Sequence, residues 1–370
     1  MGERRVDVGM IISSMLMVVF LTYHLYRILE AKPRPLPYKD QPILNGSVPL
    51  VSFLVPAWND QRHISGFIEA FNALTYPNKE LILCVGGQDG SLEYAQQFAS
   101  KTIIVVPQNA GEGKQKALKK SYPLSHGEIL YLTDIDCRLT DPLVFHMVHL
   151  LMENEVVVTG PSDPLSYQRD KPLVRVQWAV DRATESPTCS TTTGILGRNA
   201  ALRRSVLDMV GAFNESVPSG TDYFLAKKLL ECGQSITFVP YARIDSEYPE
   251  TLSLYIRKQA RWIRNVFALG QKFHEHQEVL ASLVTLAIPV VTVVCIVSGL
   301  ATIIFGVPFW SWLLGLTAII LILHPLFNRI RYLKMYGAHV PVQGVLEHWL
   351  GTSIASVRAG WQVMMNSWVW

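Results

Sequence analysis

Asp134-Ile135-Asp136 closes a β-type run, Glu128-Ile129-Leu130-Tyr131-Leu132-Thr133. Side chains alternate along a strand, so the two carboxylates are expected on one face. At the C-terminal mouth of an α/β sheet, where such sheets bind ligands, paired acids can hold a hard divalent cation that also bridges a diphosphate. Asp-x-Asp is common in turns, so the triplet needs company. Three more polar clusters supply it: Asn59-Asp60, Gly86-Gly87-Gln88-Asp89-Gly90 and Asn109-Ala110-Gly111-Glu112-Gly113-Lys114. Glycine-rich turns let backbone N–H groups approach a ligand, and Lys114 can meet a phosphate.

The elements that must position these clusters alternate. A buried strand is expected over 51–55, ending at Pro56, with further strands over 81–85, 103–106 and 155–158. Helices are expected over 64–74 and 114–121. This βαβ alternation implies a mostly parallel sheet. Right-handed crossovers would bring all four polar clusters to one edge of that sheet, around one crevice.

The chain is 49% hydrophobic and 17% charged, with a mean hydropathy of +0.21. Its apolar residues concentrate at the two ends. Residues 9–29 have about the 20-residue length that a bilayer helix needs, and no small-residue cleavage site follows them, so they read as an uncleaved anchor. Residues 279–305 and 309–327 make a second and third span, with Trp310 and Trp312 suited to an interfacial belt. Arg27, Lys32, Arg34 and Lys39 follow the first span, against Arg4 and Arg5 before it. Arg329, Arg331 and Lys334 follow the third. The positive-inside rule then puts the middle region in the cytoplasm and makes the chain a multi-pass protein of the cell membrane. Gly351, Ala355 and Ala359 permit close helix packing in the tail, whose Trp349, Trp361, Trp368 and Trp370 favour interfacial contact. A net charge of +3 is too small to favour nucleic acid. Five scattered cysteines with no C-x-x-C pair argue against zinc and read as buried free thiols.

The expected organisation is an anchor over 1–30, a Pro-rich linker over 31–47 and a cytoplasmic catalytic domain over 48–250. An amphipathic interface helix follows over 251–276. Two transmembrane helices are expected over 277–328, then a basic loop and a membrane-associated helix over 329–370.

The motifs resemble those of the membrane-bound family 2 glycosyltransferases. Pro49-Leu50-Val51-Ser52-Phe53-Leu54-Val55-Pro56-Ala57-Trp58-Asn59-Asp60 resembles their opening strand. Lys114, Ala117 and Leu118 match Asn-x-Gly-Lys-x-x-Ala-Leu, and Asp134-Ile135-Asp136 matches Asp-x-Asp. Arg203-Arg204 and Val210-Gly211-Ala212-Phe213 match an acceptor-side segment. Gly220-Thr221-Asp222 resembles the Thr/Gly-Glu-Asp motif that opens a helix. Glu247-Tyr248-Pro249-Glu250-Thr251-Leu252 and Gln259-Ala260-Arg261-Trp262 resemble the closing elements. The resemblance implies a GT-A fold, a Rossmann-like α/β domain. It also implies a nucleotide-sugar donor, Mg²⁺ or Mn²⁺, and inversion at the anomeric carbon. It makes Asp136 the metal ligand and Asp134 a contact to the donor's ribose or sugar. Ala57, Asp60, Asp89 and Lys114 would line the nucleotide pocket. Asp222 would be the general base, a role that inverting transfer requires opposite the leaving group. Arg261 and Trp262 would hold the diphosphate and the acceptor end, with Gln259 beside the acceptor.

Two positions depart from the family pattern. Gly86-Gly87 replaces an Asp-Asp, which leaves both UDP and GDP open, with a UDP-sugar favoured. Lys258 stands where the Gln of Gln-x-x-Arg-Trp begins, with Gln259 one place later, which weakens a processive reading. The leading expectation is an inverting transferase acting on a membrane lipid. The alternatives are a processive polysaccharide synthase, for which three or four helices are few, and a non-catalytic membrane binding or assembly module. The oligomeric state is open.

Overall fold

The computed structural model describes residues 8–44, 46–336 and 339–365. The expectations placed on Arg4, Arg5, Trp368 and Trp370 lie outside the described residues. The strands are β1 (Val51–Trp58), β2 (Lys79–Gly86), β3 (Ile103–Pro107), β4 (Ile129–Thr133), β5 (Cys137–Arg138), β6 (Val157–Thr159), β7 (Ser162–Pro164), β8 (Ser190–Thr191), β9 (Asn199–Arg203), β10 (Thr237–Phe238) and β11 (Ile244–Ser246). The α-helices are α1 (Val8–Leu29), α2 (Gln61–Ala73), α3 (Ser91–Gln96), α4 (Gly113–Ser121), α5 (Asp141–Glu153), α6 (Pro172–Thr184), α7 (Arg204–Met209), α8 (Thr221–Glu231), α9 (Leu252–Lys272), α10 (His276–Ile304), α11 (Pro308–Met335) and α12 (Val342–Met364).

The chain forms two compact units. One comprises Leu36–Gln168 and Glu185–Tyr248. Its main sheet has the order β3-β2-β1-β4-β9-β6-β10-β8. The run from β3 to β4 is parallel, as is β6 with β10, while β9 and β8 run antiparallel to their neighbours. The result is a mostly parallel mixed sheet. A small sheet, β5-β11-β7, lies beside it in the same unit. Successive residues of β1 feed opposite faces. Phe53 and Val55 join Ile64, Phe67, Ile68 and Phe71 of α2 and Leu143, Met147 and Leu151 of α5. Leu54 joins Leu118 of α4, Leu207 of α7 and Leu225 and Leu229 of α8. The i, i+3, i+4, i+7 spacing of the α2 residues is what makes that segment a helix buried on one side.

Two boundaries differ from expectation for clear reasons. β1 continues through Pro56 to Trp58, because β4 pairs β1 only as far as Leu54 and a proline beyond that point breaks no bond on that side. α2 begins three residues early, because Asp89 Oδ2 accepts the free N–H of Gln61 at 3.1 Å. At the opposite end of the strands Glu80 closes a polar staple. Its Oε1 accepts from Ser52 Oγ and from His126 N, each at 2.5 Å, and Ser52 Oγ accepts from Gly127 N at 2.7 Å.

The other unit comprises Met1–Pro35, Arg169–Thr184 and Pro249–Trp370. Among the described residues three helices are long and apolar enough to cross a membrane: Val8–Leu29, His276–Ile304 and Phe309–Met335. α9 starts with Thr251 as N-cap, its hydroxyl accepting from Leu254 N at 3.3 Å. The small residues of α12 press onto α9. Ala355 and Ala359 pack with Ala260 and Ile263. Gly351 meets Tyr255 so closely that a Cβ there would lie 2.7 Å from the ring and 2.8 Å from Leu252. Beside that contact Tyr255 Oη lies 3.1 Å from His348 Nε2 and 3.0 Å from Thr352 Oγ1, and Arg329 Nε donates to His348 Nδ1 at 2.8 Å. Arg264, in the segment expected to form the amphipathic interface helix, is 2% exposed. Its burial and the neighbouring Arg261 lower its pKa. Cysteines 84, 137 and 295 are buried and free as expected, but Cys189 and Cys232 are exposed.

Two stability tests follow. The Glu80 carboxyl pKa is lowered: burial opposes this, and the bonds from Ser52 and His126 outweigh it. A lowered carboxyl pKa adds stability above the unfolded-state value of about 4.3 and loses it as pH falls through the folded value. Glu80→Ala is therefore expected to cost about 1–3 kcal/mol at pH 7 and to shrink the acid sensitivity of the melting temperature. Gly351→Ala on α12 lowers the melting temperature in detergent, while Gly315→Ala on α11, where no atom lies within 4 Å of the added carbon, leaves it unchanged.

Candidate active site

The C-terminal ends of β1, β2 and β4 and the N-termini of α4 and α8 build the crevice. Thr133 ends β4, and Asp134-Ile135-Asp136 forms a turn, closed by Cys137 N donating to Asp134 O at 3.2 Å. The expected strand alternation therefore stops one residue before the acids. Ile135 is buried at 2% exposure and anchors the turn in the core, leaving both aspartates part-exposed. Glu247 N donates to Asp136 O at 3.2 Å, and the Glu247 carboxylate is held by Arg62 at 2.6 Å and His63 at 3.1 Å.

Lys114, near the start of α4, links the acids. Its Nζ donates to Asp134 Oδ1 at 2.6 Å and to Gly197 O at 3.0 Å. Gly197 in turn lies against Asp222: a Cβ there would sit 2.7 Å from Asp222 Cβ and 3.1 Å from Oδ2. Asp222 is thus brought to the same crevice as Asp134. It occupies the first turn of α8, whose N-cap is Gly220 with φ 79°. Asp222 Oδ1 accepts from Tyr223 N at 3.0 Å. Burial pulls the Lys114 pKa down, but Asp134 and Asp222 outweigh it and hold the ammonium above its usual range.

Asp60 completes the acidic cluster. Burial raises its carboxyl pKa, the N–H of Trp58 opposes this, and Asp136 and Asp134 push it further up. Arg198, which no motif singled out, supplies balancing charge. Burial works against its guanidinium, but Asp136 is the largest influence holding its pKa up, and its Nη1 donates to Ser246 Oγ at 2.8 Å. A single arginine between Gly197 and Asn199 carries no sequence signal, because only the fold brings β9 alongside β4.

The donor-side residues divide. Ala57 is buried near the end of β1. Both oxygens of Asp89 are already engaged, Oδ1 by Ser91 N and Oγ and Oδ2 by Gln61 N. Gly86 and Gly87 are required by close approach. A Cβ on Gly86 would lie 2.1 Å from Gln108 O, and one on Gly87, at φ 132°, 2.3 Å from Asn59 Oδ1. An acidic pair has no room there. Gln259, Arg261 and Trp262 lie on α9, in the other unit, with Arg261 and Trp262 exposed.

The donor chemistry fits a hard divalent cation shared with a ligand. The oxygens of Asp134 and Asp136 suit Mg²⁺ or Mn²⁺. Among the described residues no group of three or more His, Cys, Asp or Glu is arranged to hold a metal alone. Such a cation is commonly bound by one or two carboxylates plus substrate phosphates.

The sequence model of the glycosyltransferase like family 2 matches residues 49–265. The chain belongs to this family. It is similar to the probable glycosyltransferase YdaM of Bacillus subtilis, 26% identical over 234 residues, covering 59% of this chain and 55% of that one. It is also similar to the beta-monoglucosyldiacylglycerol synthase of Trichormus variabilis, 25% identical over 207 residues, covering 53% of this chain and 43% of that one. The chain spans about half the length of these curated relatives. In structure it resembles a mannosyltransferase from Pyrobaculum calidifontis solved with GDP-Man and Mn²⁺, with a TM-score of 0.58 and 16% identity over 97% of this chain and 99% of that one. The fold is therefore GT-A, and the chain is a member of glycosyltransferase family 2 with membrane-length helices in its N- and C-terminal regions.

The Gly197 contact gives a test. Gly197→Ala displaces Asp222 and is expected to cut sugar transfer roughly 100-fold with the fold intact. Gly194→Ala, with no atom within 4 Å of the added carbon, keeps wild-type turnover.

Proposed function

We propose that this protein is an integral-membrane, inverting glycosyltransferase that moves one sugar from a nucleotide-sugar donor, a UDP-sugar by preference, to a lipid acceptor. It would act at the cytoplasmic face of the cell membrane. The observation that carries this reading is the lone Asp222 carboxylate, set through Gly197 and Lys114 in the same crevice as the Asp134–Asp136 turn. Support comes from the family match, from the lipid-glycosylating name of one relative and from the fold shared with a GDP-Man transferase.

In this reading Asp222 takes the proton from the acceptor hydroxyl as its oxygen attacks the anomeric carbon. The bond from that carbon to the diphosphate oxygen breaks, and the nucleoside diphosphate leaves with the electron pair. The sugar is left inverted on the acceptor. Asp136, with the donor's diphosphate, would hold Mg²⁺ or Mn²⁺, which when bound supplies positive charge to the leaving group. Asp134, its carboxylate fixed by Lys114, would contact the donor's ribose or sugar. Ala57 and Asp60 would border the nucleotide, and Asp89 would shape that border by tying its loop to α2. The motif assigns Arg261 to the diphosphate, where a guanidinium fork suits paired oxygens, and Trp262 and Gln259 to the acceptor.

Asp222→Asn is expected to lower transfer by about 10²–10⁴-fold while donor binding persists, because only the base is lost. Asp136→Ala should lose Mn²⁺-dependent donor binding as well as transfer. Mass spectrometry of the glycolipid product should show a single added sugar. Wild-type transfer in Asp222→Asn, or a ladder of sugars, would overturn this reading.

A further inference from the structure

Four cations of the membrane-helix unit surround one recess. Arg27 in the last turn of α1, Lys32 and Arg34 just beyond it, and Arg331 near the end of α11 line a cavity of about 230 Å³, together with Glu30, Ala31, Pro33 and Met335. The only acid among these residues is Glu30. The four cations against it leave the recess with a net charge of +3. Among the described residues these cations form no ion pair; Arg27 Nη1 donates instead to Tyr23 Oη at 2.7 Å.

The walls are fixed by hydrogen bonds to main-chain carbonyls. Lys334 Nζ donates to Ile28 O at 2.8 Å and to Leu29 O at 3.0 Å, closing the C-terminus of α1. Arg34 N donates to Met335 O at 2.5 Å, which pins the segment after α1 to the end of α11. A cluster that served only to orient the spans needs positive charge near their ends. It does not need that charge gathered around a concavity with braced walls.

We propose that this recess binds the phosphate headgroup of an anionic phospholipid. Charge complementarity specifies the phosphate. The location specifies the lipid, because α1 and α11 are both apolar enough to cross a bilayer and both end at the recess. Headgroup phosphates occupy the level where such helices leave the hydrocarbon, and basic recesses between helices are suited to them. The site is separate from the residues assigned to sugar transfer, and its occupancy does not depend on that assignment.

The test is native mass spectrometry of the full chain, delipidated in neutral detergent and titrated with phosphatidylglycerol and phosphatidylcholine. Wild-type protein is expected to retain phosphatidylglycerol at least about tenfold better than phosphatidylcholine, since clustered cations attract an anionic headgroup. The combined K32Q, R34Q and R331Q variant should lose that preference. Glu30→Gln, which removes the opposing charge and leaves the basic residues that orient the spans, should strengthen it. Equal retention of both lipids by the wild type, or an undiminished preference in the triple variant, would overturn the proposal. Should the triple variant fail to fold, an unchanged preference in Glu30→Gln would overturn it equally. Displacement of the bound lipid by millimolar inorganic phosphate would reassign the recess to a soluble anion and reject the lipid.

Discussion

Asp60, Asp134 and Asp136 crowd a part-buried crevice whose like charges repel, and the fold offsets that repulsion with Lys114 and Arg198. Lys114 does more than neutralise. Two of its three donors go to the Asp134 carboxylate and to the carbonyl of Gly197, a residue whose lack of a side chain leaves room for Asp222. The Asp134 carboxylate, the Lys114 ammonium, the Gly197 peptide and Asp222 thus form one chain of contacts across the crevice. The ends of β4, α4, β9 and α8 are held in register by it. Removing positive charge from that chain would leave part-buried anions uncompensated, which costs far more than losing an exposed ion pair.

Much of this was legible in the sequence, for physical reasons that differ by element. The parallel run from β3 to β4 followed from short apolar segments separated by amphipathic helices, because burial on both faces demands that pattern. The membrane helices were legible because length and hydropathy suffice. What escaped was set by tertiary contact. Pro56 looked like a strand end, yet the neighbouring strand stops first. The alternation expected to align Asp134 with Asp136 gives way to a turn, because Ile135 is drawn into the core. Arg198 had no local signature, and the burial of Arg264 is set by what packs against α9.

In the membrane-helix unit the same economy of space operates between helices. Small residues at 351, 355 and 359 let α12 approach α9 closely, and Arg329, His348, Tyr255 and Thr352 fill the polar positions at that contact with mutual hydrogen bonds. Close packing without such bonds would leave buried polar groups unsatisfied. The helix that carries Arg261 and Trp262 is therefore seated by shape and by hydrogen bonding together.

The paired glycines at the end of β2 have a consequence for redesign. Because the carbonyl of Gln108 and the side chain of Asn59 occupy the space that side chains at 86 and 87 would need, an acidic pair cannot be installed there one residue at a time. Three segments of the chain would have to change in concert. A laboratory search by single substitutions at these two positions would therefore meet a steric barrier.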